Sequence, residues 1–584
     1  MAGVINDEMV RIRLSLALFT LGFLAVVARL FYWQVLAKDE LRAVAEKQYQ
    51  QVVTIASSRG EILASDSSPL VANQTAWLVY AEPGKLTEKP EVMAEKLAAV
   101  ILKNKFDNRE DLTDYQKNLK DLTGDLTGKL SDKNLAWVAL ARKVENQGKA
   151  EIENLKFSGI GFFPNEKRFY PEGTTAAHLL GFVGSDKFGT DTGYFGLEGY
   201  YNSQLQPRTG KILATKDAIG NLILTPQTLE IAPVAGKTLV TTIDRNVQFI
   251  AQKAIEQGVA KYGAKSGSVT ILNPKTGEVL AMATYPAYNP ENLGQAVQDD
   301  FKNPIVADNF EPGSIFKIVG AAAALDEEIV KPDSICDKCT GPREIAGFTI
   351  RTWNNKYYQD STLTDILVHS DNIGMVWLTE KLGVGRFLRI LKKFQFGQNT
   401  GIDLQEETAP VIRRDSDWKP IDLAVASFGQ GIAASQIKMV QVAAAIANGG
   451  KLVKPFVVKA LKDQNGETEI SPKVLGQVIS EKTAKILTEM MVATVERGEA
   501  RVFAPAGFKI AGKTGTAQIP IAGHYDPNKT IASFVGFAPA DDPRFVMMVS
   551  YNSPTSPIFG SETAAPTFFT IARQLFAYYG IAPK

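Results

Sequence analysis

The sequence feature that most constrains the fold is an apolar segment close to the N-terminus. Residues 14–36 carry a single charged side chain, that of Arg29. A helix of this length, at about 1.5 Å per residue, can cross the roughly 30 Å hydrocarbon core of a bilayer. Arg29 lies toward the end of the segment, where its side chain can reach the headgroups, and the adjacent Tyr32 and Trp33 are typical of a membrane interface. The segment therefore predicts one transmembrane helix.

The charges before this segment predict its orientation. Arg11 and Arg13 favour an internal N-terminus, which makes 1–13 a cytoplasmic tail and places the rest of the chain outside. A cleaved signal peptide is the alternative, because 26–28 (Val-Val-Ala) resembles a cleavage site after a short apolar stretch. The apolar run resumes at Leu30, so we favour an uncleaved anchor. Both interpretations place the body outside the cytoplasm.

The remaining composition is that of a globular protein with several domains. At 584 residues the chain is longer than one hydrophobic core usually organises, so we expect two or more domains. Its 64 basic and 63 acidic side chains leave a net charge of only +1. Because this balance provides no basic surface, we expect no nucleic-acid partner.

The two cysteines, Cys336 and Cys339, form a C-x-x-C pair, which is half of a typical zinc site. The chain has three histidines, and zinc would need two further ligands from distant segments, so we predict no metal. Outside the membrane the pair can form a local disulfide or remain free, and the sequence does not decide between them.

Two regions follow the apolar segment. Residues 37–235 predict a first external domain, in which 48–56 has the pattern of a strand. Within this domain, 85–155 is rich in Lys, Asp, Leu and Asn at helical spacing. It predicts a polar helical insert, which we interpret as solvated surface. Residues 236–584 predict a second domain.

The second domain is predicted to contain an antiparallel sheet flanked by helices. Residues 267–273 and 278–284 flank the turn Pro-Lys-Thr-Gly, which predicts a hairpin, and 530–538 and 544–551 predict another pair of strands. Helical spacing occurs in 248–262, 315–325, 439–447 and 566–579. One sheet built from both ends of the domain, with these helices around it, gives an α+β fold.

Three short motifs in this domain are associated with serine acyl-enzymes: S-x-x-K, S-x-N and K-T-G. Each occurs more than once. S-x-x-K begins at Ser314, Ser416 and Ser435, S-x-N begins at Ser370 and Ser550, and K-T-G begins at Lys275 and Lys513. Local context therefore has to decide which of them form a site.

Ser314 has the most favourable context for a nucleophile. It follows Glu-Pro-Gly and opens an apolar helical run, so backbone N–H groups lie beside its hydroxyl. Lys317 lies three residues on, on the same face, and burial would make its neutral amine available as a base. An ordinary helix cap is the alternative for Ser314. Ser416 lies in a charged stretch and Ser435 in a Gly-Ala loop, so we set both aside.

The other two motifs supply a relay and a carboxylate site. The Ser370 hydroxyl can pass protons, and the Asn372 carboxamide can hold both a substrate amide and Lys317, although a turn between helices also fits. Lys513, Thr514, Gly515 and Thr516 follow a strand-like stretch, where an extended peptide can pair and its terminal carboxylate can bind. The backbone N–H groups of Ser314 and Thr516 are candidates for an oxyanion hole. Lys275 lies in a hairpin turn and is set aside.

Taken in order, with separations of 56 and 143 residues, these motifs resemble the transpeptidase domain of class B penicillin-binding proteins. The resemblance extends to residues 273–290, 310–317, 428–434 and 564–569. Arg59-Gly60 and 168–184 resemble the family's pedestal domain, and only 85–155 matches poorly. Stretch 428–434 is rich in glycine and either borders the cleft or forms a tight packing turn.

The resemblance implies a penicillin-binding, serine-β-lactamase-like domain on a mixed α+β pedestal. In such a domain Ser314 would attack the penultimate D-alanine carbonyl of a stem peptide, with Lys317 as the base. Ser370 and Asn372 would relay protons and hold substrate, while Lys513, Thr514, Gly515 and Thr516 would bind the carboxylate. β-Lactams would acylate the same serine, and no cofactor is implied.

The resemblance also implies a setting: a single-pass protein of the bacterial cytoplasmic membrane, with partners that include a polytopic glycan polymerase and division-complex proteins. The Glu-Pro-Gly-Ser stretch at 311–314 and the C-terminal stretch are more similar to division-type than to elongation-type proteins. The alternatives are an elongation-type transpeptidase, a D,D-carboxypeptidase, and a non-catalytic β-lactam-binding scaffold or sensor.

Overall fold

The structure is a computed structural model that describes residues 2–103, 112–187, 189–216, 222–223, 229–521 and 524–584. The chain forms two compact units. One consists of Met1–Ser57 with Pro207–Ala235, and the other of Ser58–Gln206 with Gly236–Lys584.

The helices and strands are numbered in chain order. The helices are α1 (Ala2–Phe31), α2 (Lys38–Tyr49), α3 (Pro90–Lys103), α4 (Leu112–Ser131), α5 (Asn146–Asn154), α6 (Ala177–Leu180), α7 (Gly196–Tyr200), α8 (Asn202–Leu205), α9 (Arg245–Tyr262), α10 (Pro304–Ala307), α11 (Lys317–Asp326), α12 (Leu363–Val368), α13 (Asn372–Leu382), α14 (Val384–Lys393), α15 (Pro420–Ala426), α16 (Gln436–Ala447), α17 (Glu481–Arg497) and α18 (Ala564–Tyr578). The strands are β1 (Gln50–Ile55), β2 (Ile62–Leu63), β3 (Pro69–Ala81), β4 (Val138–Val144), β5 (Ile160–Phe169), β6 (Phe182–Ser185), β7 (Asp191–Tyr194), β8 (Gly210–Lys216), β9 (Leu222–Ile223), β10 (Leu229–Ile231), β11 (Thr238–Thr241), β12 (Ser266–Leu272), β13 (Val279–Tyr285), β14 (Asn309–Phe310), β15 (Arg343–Ile345), β16 (Phe348–Ile350), β17 (Ala434–Ser435), β18 (Lys451–Val453), β19 (Val458–Asp463), β20 (Gly466–Glu469), β21 (Val474–Gln477), β22 (Ala511–Ile521), β23 (His524–Ala538) and β24 (Phe545–Asn552).

The first unit contains the predicted apolar helix. Helix α1 continues through a π-helical turn at Tyr32–Leu36. The span Asp7–Leu36 contains an 18-residue window with a mean hydropathy of 2.1, so it is long and apolar enough to cross a membrane. The Arg29 guanidinium lies 4.9 Å from the ring centroid of Trp33 and 5.7 Å from that of Tyr32. The polar and aromatic side chains expected at one interface therefore lie together. A small sheet in the order β1-β8-β10 completes this unit, and β1 occupies the predicted strand 48–56.

A seven-stranded sheet lies in the second unit, in the order β20-β19-β11-β2-β3-β4, with β5 also pairing with β3. Beside it lies the fully buried carboxylate of Glu198. Arg59 and Arg168 donate to its two oxygens at 2.5 and 2.7 Å. Arg168 also donates to the Asn73 side chain and the Gly60 carbonyl, both at 2.7 Å. These bonds hold β3 and β5 to the segment that precedes β2.

The expected polar insert 85–155 departs from its prediction. It is helical in α3, α4 and α5, but β4 also lies within it and pairs with β3. Leu97, Leu126 and Ile152 are buried with Val79 of β3 in a separate hydrophobic core. The interpretation of this segment as solvated surface was therefore wrong, because its leucines pack on the sheet.

The predicted antiparallel sheet is confirmed as a five-stranded sheet in the order β13-β12-β24-β23-β22. Strand β12 pairs antiparallel with both β13 and β24, so strands from the two ends of the domain meet at its centre. Helices α9 and α18 pack on one face, and α16 packs on the other. These strands are buried on both faces, and it was the turn between β12 and β13, with strand-like stretches at both ends of the domain, that predicted this arrangement.

We expect Glu198→Gln to destabilise the second unit by about 3–5 kcal/mol, because two buried guanidiniums would lose their counter-charge. The free energy of unfolding from urea titrations measures this. The control is Glu153→Gln, which removes an exposed partner of Lys149, and for which we expect a change below about 1 kcal/mol. Equal effects of the two substitutions would contradict the predicted importance of the buried cluster.

Candidate active site

Ser314 lies in a 3-10 turn, Gly313–Phe316, that leads directly into α11. Neither the turn nor the helix has a side-chain cap, so the alternative that Ser314 is an ordinary cap is wrong. Gly313 has φ +56°, in the left-handed region where glycine carries no steric cost. This turn presents the half-buried Ser314 hydroxyl to a cleft, where it is available as a nucleophile.

The amine of Lys317 is completely buried behind Ser314. Its Nζ donates to the Ser370 carbonyl at 2.5 Å, to Asn372 Oδ1 at 2.8 Å and to Ser370 Oγ at 3.2 Å. Burial lowers the pKa of Lys317 well below its ordinary value, and the nearby positive charge of Lys513 lowers it further. The structure therefore brings the first two motifs together and favours a neutral amine.

Ser370 occupies the turn between α12 and α13, in the left-handed conformation with φ +53°. Its hydroxyl accepts from Lys317 Nζ at 3.2 Å and from Lys513 Nζ at 3.0 Å. Such a backbone costs of order 1–3 kcal/mol in a residue other than glycine and is enriched at active sites. The sequence allowed either a proton relay or a turn between helices at Ser370. The two interpretations are compatible, because the turn itself places the hydroxyl between two lysines.

Asn372 is the first residue of α13, and both ends of its amide are engaged. Its Oδ1 accepts from Lys317, and its Nδ2 donates to the Arg351 carbonyl at 3.0 Å. These bonds fix the orientation of the amide. One Nδ2 hydrogen remains for a substrate carbonyl.

Lys513 lies on β22, at the edge of the five-stranded sheet, with 2% of its surface exposed. Its Nζ donates to Ser370 Oγ at 3.0 Å and to the Thr514 carbonyl at 3.1 Å. Burial lowers the pKa of Lys513 to about 8. Gly515 is required here, because a Cβ would lie 2.4 Å from Ser533 Oγ. The absence of a side chain lets β22 pack closely against the turn that carries Ser314.

These residues surround one cleft of about 810 Å³. The predicted site residues on its surface are Ser314, Ser370, Asn372, Thr514 and Thr516, while Lys317 and Lys513 lie buried beneath it. Its aromatic lining consists of Phe348, Trp353, Phe428, Tyr525 and Phe559. The cleft can accommodate an extended peptide along the edge of β22.

The repeated motifs that were set aside lie elsewhere. Ser435 caps α16 by accepting from the Lys438 N–H at 3.4 Å, and Ser550 lies within the central strand β24. Ser416 is exposed, and Lys275 forms an exposed ion pair with Asp542 at 2.6 Å. None of these residues lines the cleft described above.

The sequence analysis missed two charged residues of the cleft, Glu499 and Arg351. Glu499 follows α17, and partial desolvation raises the pKa of its carboxyl, while Lys513 lowers it. Its position results from the packing of α17 against β22, which no local pattern indicates. Arg351 contacts the site through its backbone carbonyl, which accepts from the Asn372 amide. Because any residue type has this carbonyl, no sequence motif could indicate the position of Arg351.

Cys336 and Cys339 form a disulfide, which was one of the two alternatives left open by the sequence. Both cysteines are buried in the core beside α13. Among the described residues, no group of three His, Cys, Asp or Glu side chains is arranged to hold a metal.

The glycine-rich stretch 428–434 both packs tightly and borders the cleft. The Gly313 N–H donates to the Gly429 carbonyl at 3.0 Å. Gly429 has φ +81°, and a Cβ there would lie 2.2 Å from the Gly313 carbonyl oxygen. Its neighbours Phe428 and Gln430 line the cleft. The stretch therefore packs directly against the turn that carries Ser314, the candidate nucleophile.

Residues 267–575 match the model of the penicillin binding protein transpeptidase domain, and 54–241 match the penicillin-binding protein dimerisation domain. The chain belongs to the class B penicillin-binding proteins. Stage V sporulation protein D of Bacillus subtilis is 32% identical over 590 residues, covering 99% of this chain and 88% of that protein. A probable peptidoglycan D,D-transpeptidase, PenA of Neisseria meningitidis, is 27% identical, covering 98% and 93%.

Solved structures of other penicillin-binding proteins share the fold. Penicillin-binding protein 3 of Mycobacterium tuberculosis, in complex with aztreonam, has a TM-score of 0.68 at 25% identity and covers 91% of this chain and 98% of its own. Penicillin-binding protein 2X of Streptococcus thermophilus has a TM-score of 0.71 at 23% identity, covering 91% and 80%. The likeness extends over both the transpeptidase and the dimerisation regions of this penicillin-binding protein.

We expect Gly429→Ala to destabilise this penicillin-binding protein by about 1–3 kcal/mol, because the new Cβ would overlap the Gly313 carbonyl oxygen. Thermal and urea unfolding measure the loss. Gly341→Ala is the matched control, since nothing lies within 4 Å of a Cβ at that position. An unchanged free energy of unfolding for Gly429→Ala would contradict this expectation, because it would mean that the turn around Ser314 can shift to accommodate the new Cβ.

Proposed function

We propose that this protein is a serine-type peptidoglycan D,D-transpeptidase that works through an acyl-enzyme on Ser314. The observation that carries the proposal is the convergence of three distant motifs on one hydroxyl. Lys317 and Lys513 both donate to Ser370 Oγ, beside the cleft that Ser314 faces. Two buried lysines and a relay hydroxyl next to a serine are the components that serine acyl transfer needs.

In the proposed acylation step, Ser314 Oγ attacks the carbonyl carbon of the penultimate D-alanine. Its proton passes to the neutral Nζ of Lys317, whose pKa is lowered by burial. The carbon–nitrogen bond then breaks, and the leaving D-alanine nitrogen takes a proton through Ser370 Oγ. We propose the N–H groups of Ser314 and Thr516 as the donors that stabilise the oxyanion.

In the proposed transfer step, an amine of a neighbouring stem peptide attacks the ester carbonyl. The new amide forms as the bond to Ser314 Oγ breaks, and the proton lost by the amine restores the serine hydroxyl. This sequence cross-links two stem peptides and releases one D-alanine. The protein needs no cofactor for these steps in the proposal.

The carboxylate of the donor peptide is proposed to bind at β22. Thr514 and Thr516 present hydroxyls to the cleft, and Lys513 lies directly beneath with its charge. Gly515, between these two threonines, lets β22 pack closely against the turn that carries Ser314. The structures of M. tuberculosis penicillin-binding protein 3 complexed with aztreonam and with ampicillin support the proposal that this protein also binds β-lactams.

We further propose the cellular setting. The segment 14–36 anchors the protein in the bacterial cytoplasmic membrane, with 1–13 inside and the domains 37–235 and 236–584 outside. The names of division-type relatives support a septal role, beside a polytopic glycan polymerase and division-complex proteins. The apolar helix and the charges before it support the anchor and its direction.

Intact-protein mass spectrometry of the full chain in detergent, with and without a penicillin, tests the nucleophile. We expect one adduct of the drug's mass on the wild type and none on Ser314→Ala. Ser416→Ala is the matched control, because it alters an exposed S-x-x-K serine and should keep the adduct. An adduct that survives on the Ser314 variant would reject the proposed site, and a wild type without an adduct would favour a non-catalytic scaffold.

We expect acylation by a penicillin to decline above about pH 8, where buried Lys513, with a pKa of about 8, loses the charge that binds the drug's carboxylate. The second-order acylation rate should fall about tenfold per pH unit beyond this limit. In Lys513→Arg, whose guanidinium stays charged, the decline should disappear, at a lower maximal rate.

Stopped-flow measurement with a fluorescent penicillin provides this rate. A penicillin methyl ester serves as the control, because it has no carboxylate and should show no decline. The same decline with the ester would show that Lys513 does not act through the carboxylate.

A further inference from the structure

Asp371, the middle residue of the S-x-N motif, has a buried carboxylate that the steps above do not use. Its side chain is 2% exposed. Oδ1 accepts from the Ile373 N–H at 2.8 Å and caps α13, whereas Oδ2 is buried with no hydrogen-bond partner among the described residues. A buried carboxylate oxygen without a partner is costly unless a nearby positive charge compensates it.

Lys317, on the adjacent helix α11, supplies such a charge when its amine is protonated. Its Nζ donates to the Ser370 carbonyl and to Asn372 Oδ1, which are the residues on either side of Asp371. The Ser370 carbonyl belongs to the peptide unit that links Ser370 to Asp371. The Nζ of Lys317 is therefore held against the backbone that carries the buried carboxylate, and any proton it gains places a positive charge there.

The other charged groups around Lys317 act in both directions. Lys513, from β22, opposes protonation of Lys317, and Glu499, from the turn after α17, favours it. The attraction of Asp371 is stronger than that of Glu499. His369, on the same segment, faces Asp371 and stacks on Tyr358 with ring centroids 3.9 Å apart.

We propose that Asp371 is a positioning residue whose carboxylate stabilises the protonated form of Lys317, and so sets the lower pH limit of Ser314 acylation. The proposal rests on the proposed function, because it needs Lys317 to act as the base. A lysine isolated between a second buried lysine and apolar residues would be a weak base. The carboxylate keeps its amine basic enough to accept the serine proton.

The direction of the effect follows from the charges. Burial and Lys513 lower the pKa of Lys317, and Asp371 raises it. Removing the carboxylate should lower that pKa further, so that the neutral amine persists to lower pH. A nearby opposite charge shifts the pKa of a buried group by about one unit or more. The maximal rate should fall by no more than about tenfold, because the neutral amine becomes a weaker base.

The test is the acylation rate of the full-length protein in detergent by a fluorescent penicillin, measured between pH 5 and 10. Asp371→Asn keeps the shape and the cap of α13, and Asp371→Ser keeps the cap with a smaller side chain. Glu489→Gln, an exposed carboxylate on α17, is the control. Thermal unfolding of each variant accompanies the rates.

We expect the acid limb of the rate profile to move down by about one pH unit in both Asp371 variants and to stay in place in the control. An unmoved acid limb in folded variants would overturn the proposal, as would unfolding of both variants, since either result would assign Asp371 to the fold alone. A wild type that is not acylated at any pH would instead reject the proposed function, so the two failures are distinct.

Discussion

The site depends on one interaction, the shared hydrogen bonding of Ser370 Oγ by two buried lysines. Two like charges cannot both persist at this separation in a dry environment without compensation, so burial and repulsion lower the pKa of Lys317 and favour its neutral amine. The left-handed turn at Ser370 is the geometry in which its hydroxyl lies between the two amines. This strained backbone lowers the stability of the fold, and such strain is common where a structure holds functional groups in place.

Local patterns predicted most of the framework and named the residues that the structure brings together at the candidate site. The hairpin of β12 and β13 followed from its turn residues, and the order of the three motifs selected Ser314, Ser370 and Lys513 from their repeats. Strand β4 was missed because its alternation is interrupted at Arg142 and Lys143, where Lys143 takes φ +58° and the pairing with β3 shifts register. Glu499 was missed for another reason: its position is set by helix-to-sheet packing, which has no sequence period.

The segment between α11 and α12 shows how a short covalent link can support a site without forming part of it. The disulfide of Cys336 and Cys339 brackets Asp337, which accepts from the Trp377 indole N–H at 2.5 Å. Arg343 and Lys338 both pair with Glu380 on the same helix, α13. Because α13 begins at Asn372, these contacts hold the helix whose first residue bonds to Lys317.

The position of β24 in the five-stranded sheet has a consequence for the timing of activity. β12 is completed only when it pairs with β24, which the ribosome makes roughly 270 residues later. Lys513 belongs to β22, which reaches the sheet through β23 and β24. A chain that has been synthesised only as far as β22 therefore has Ser314, Lys317 and Ser370 but lacks the strands through which Lys513 joins the sheet. The pair of buried lysines around Ser370 Oγ can form only after the last strand has been made.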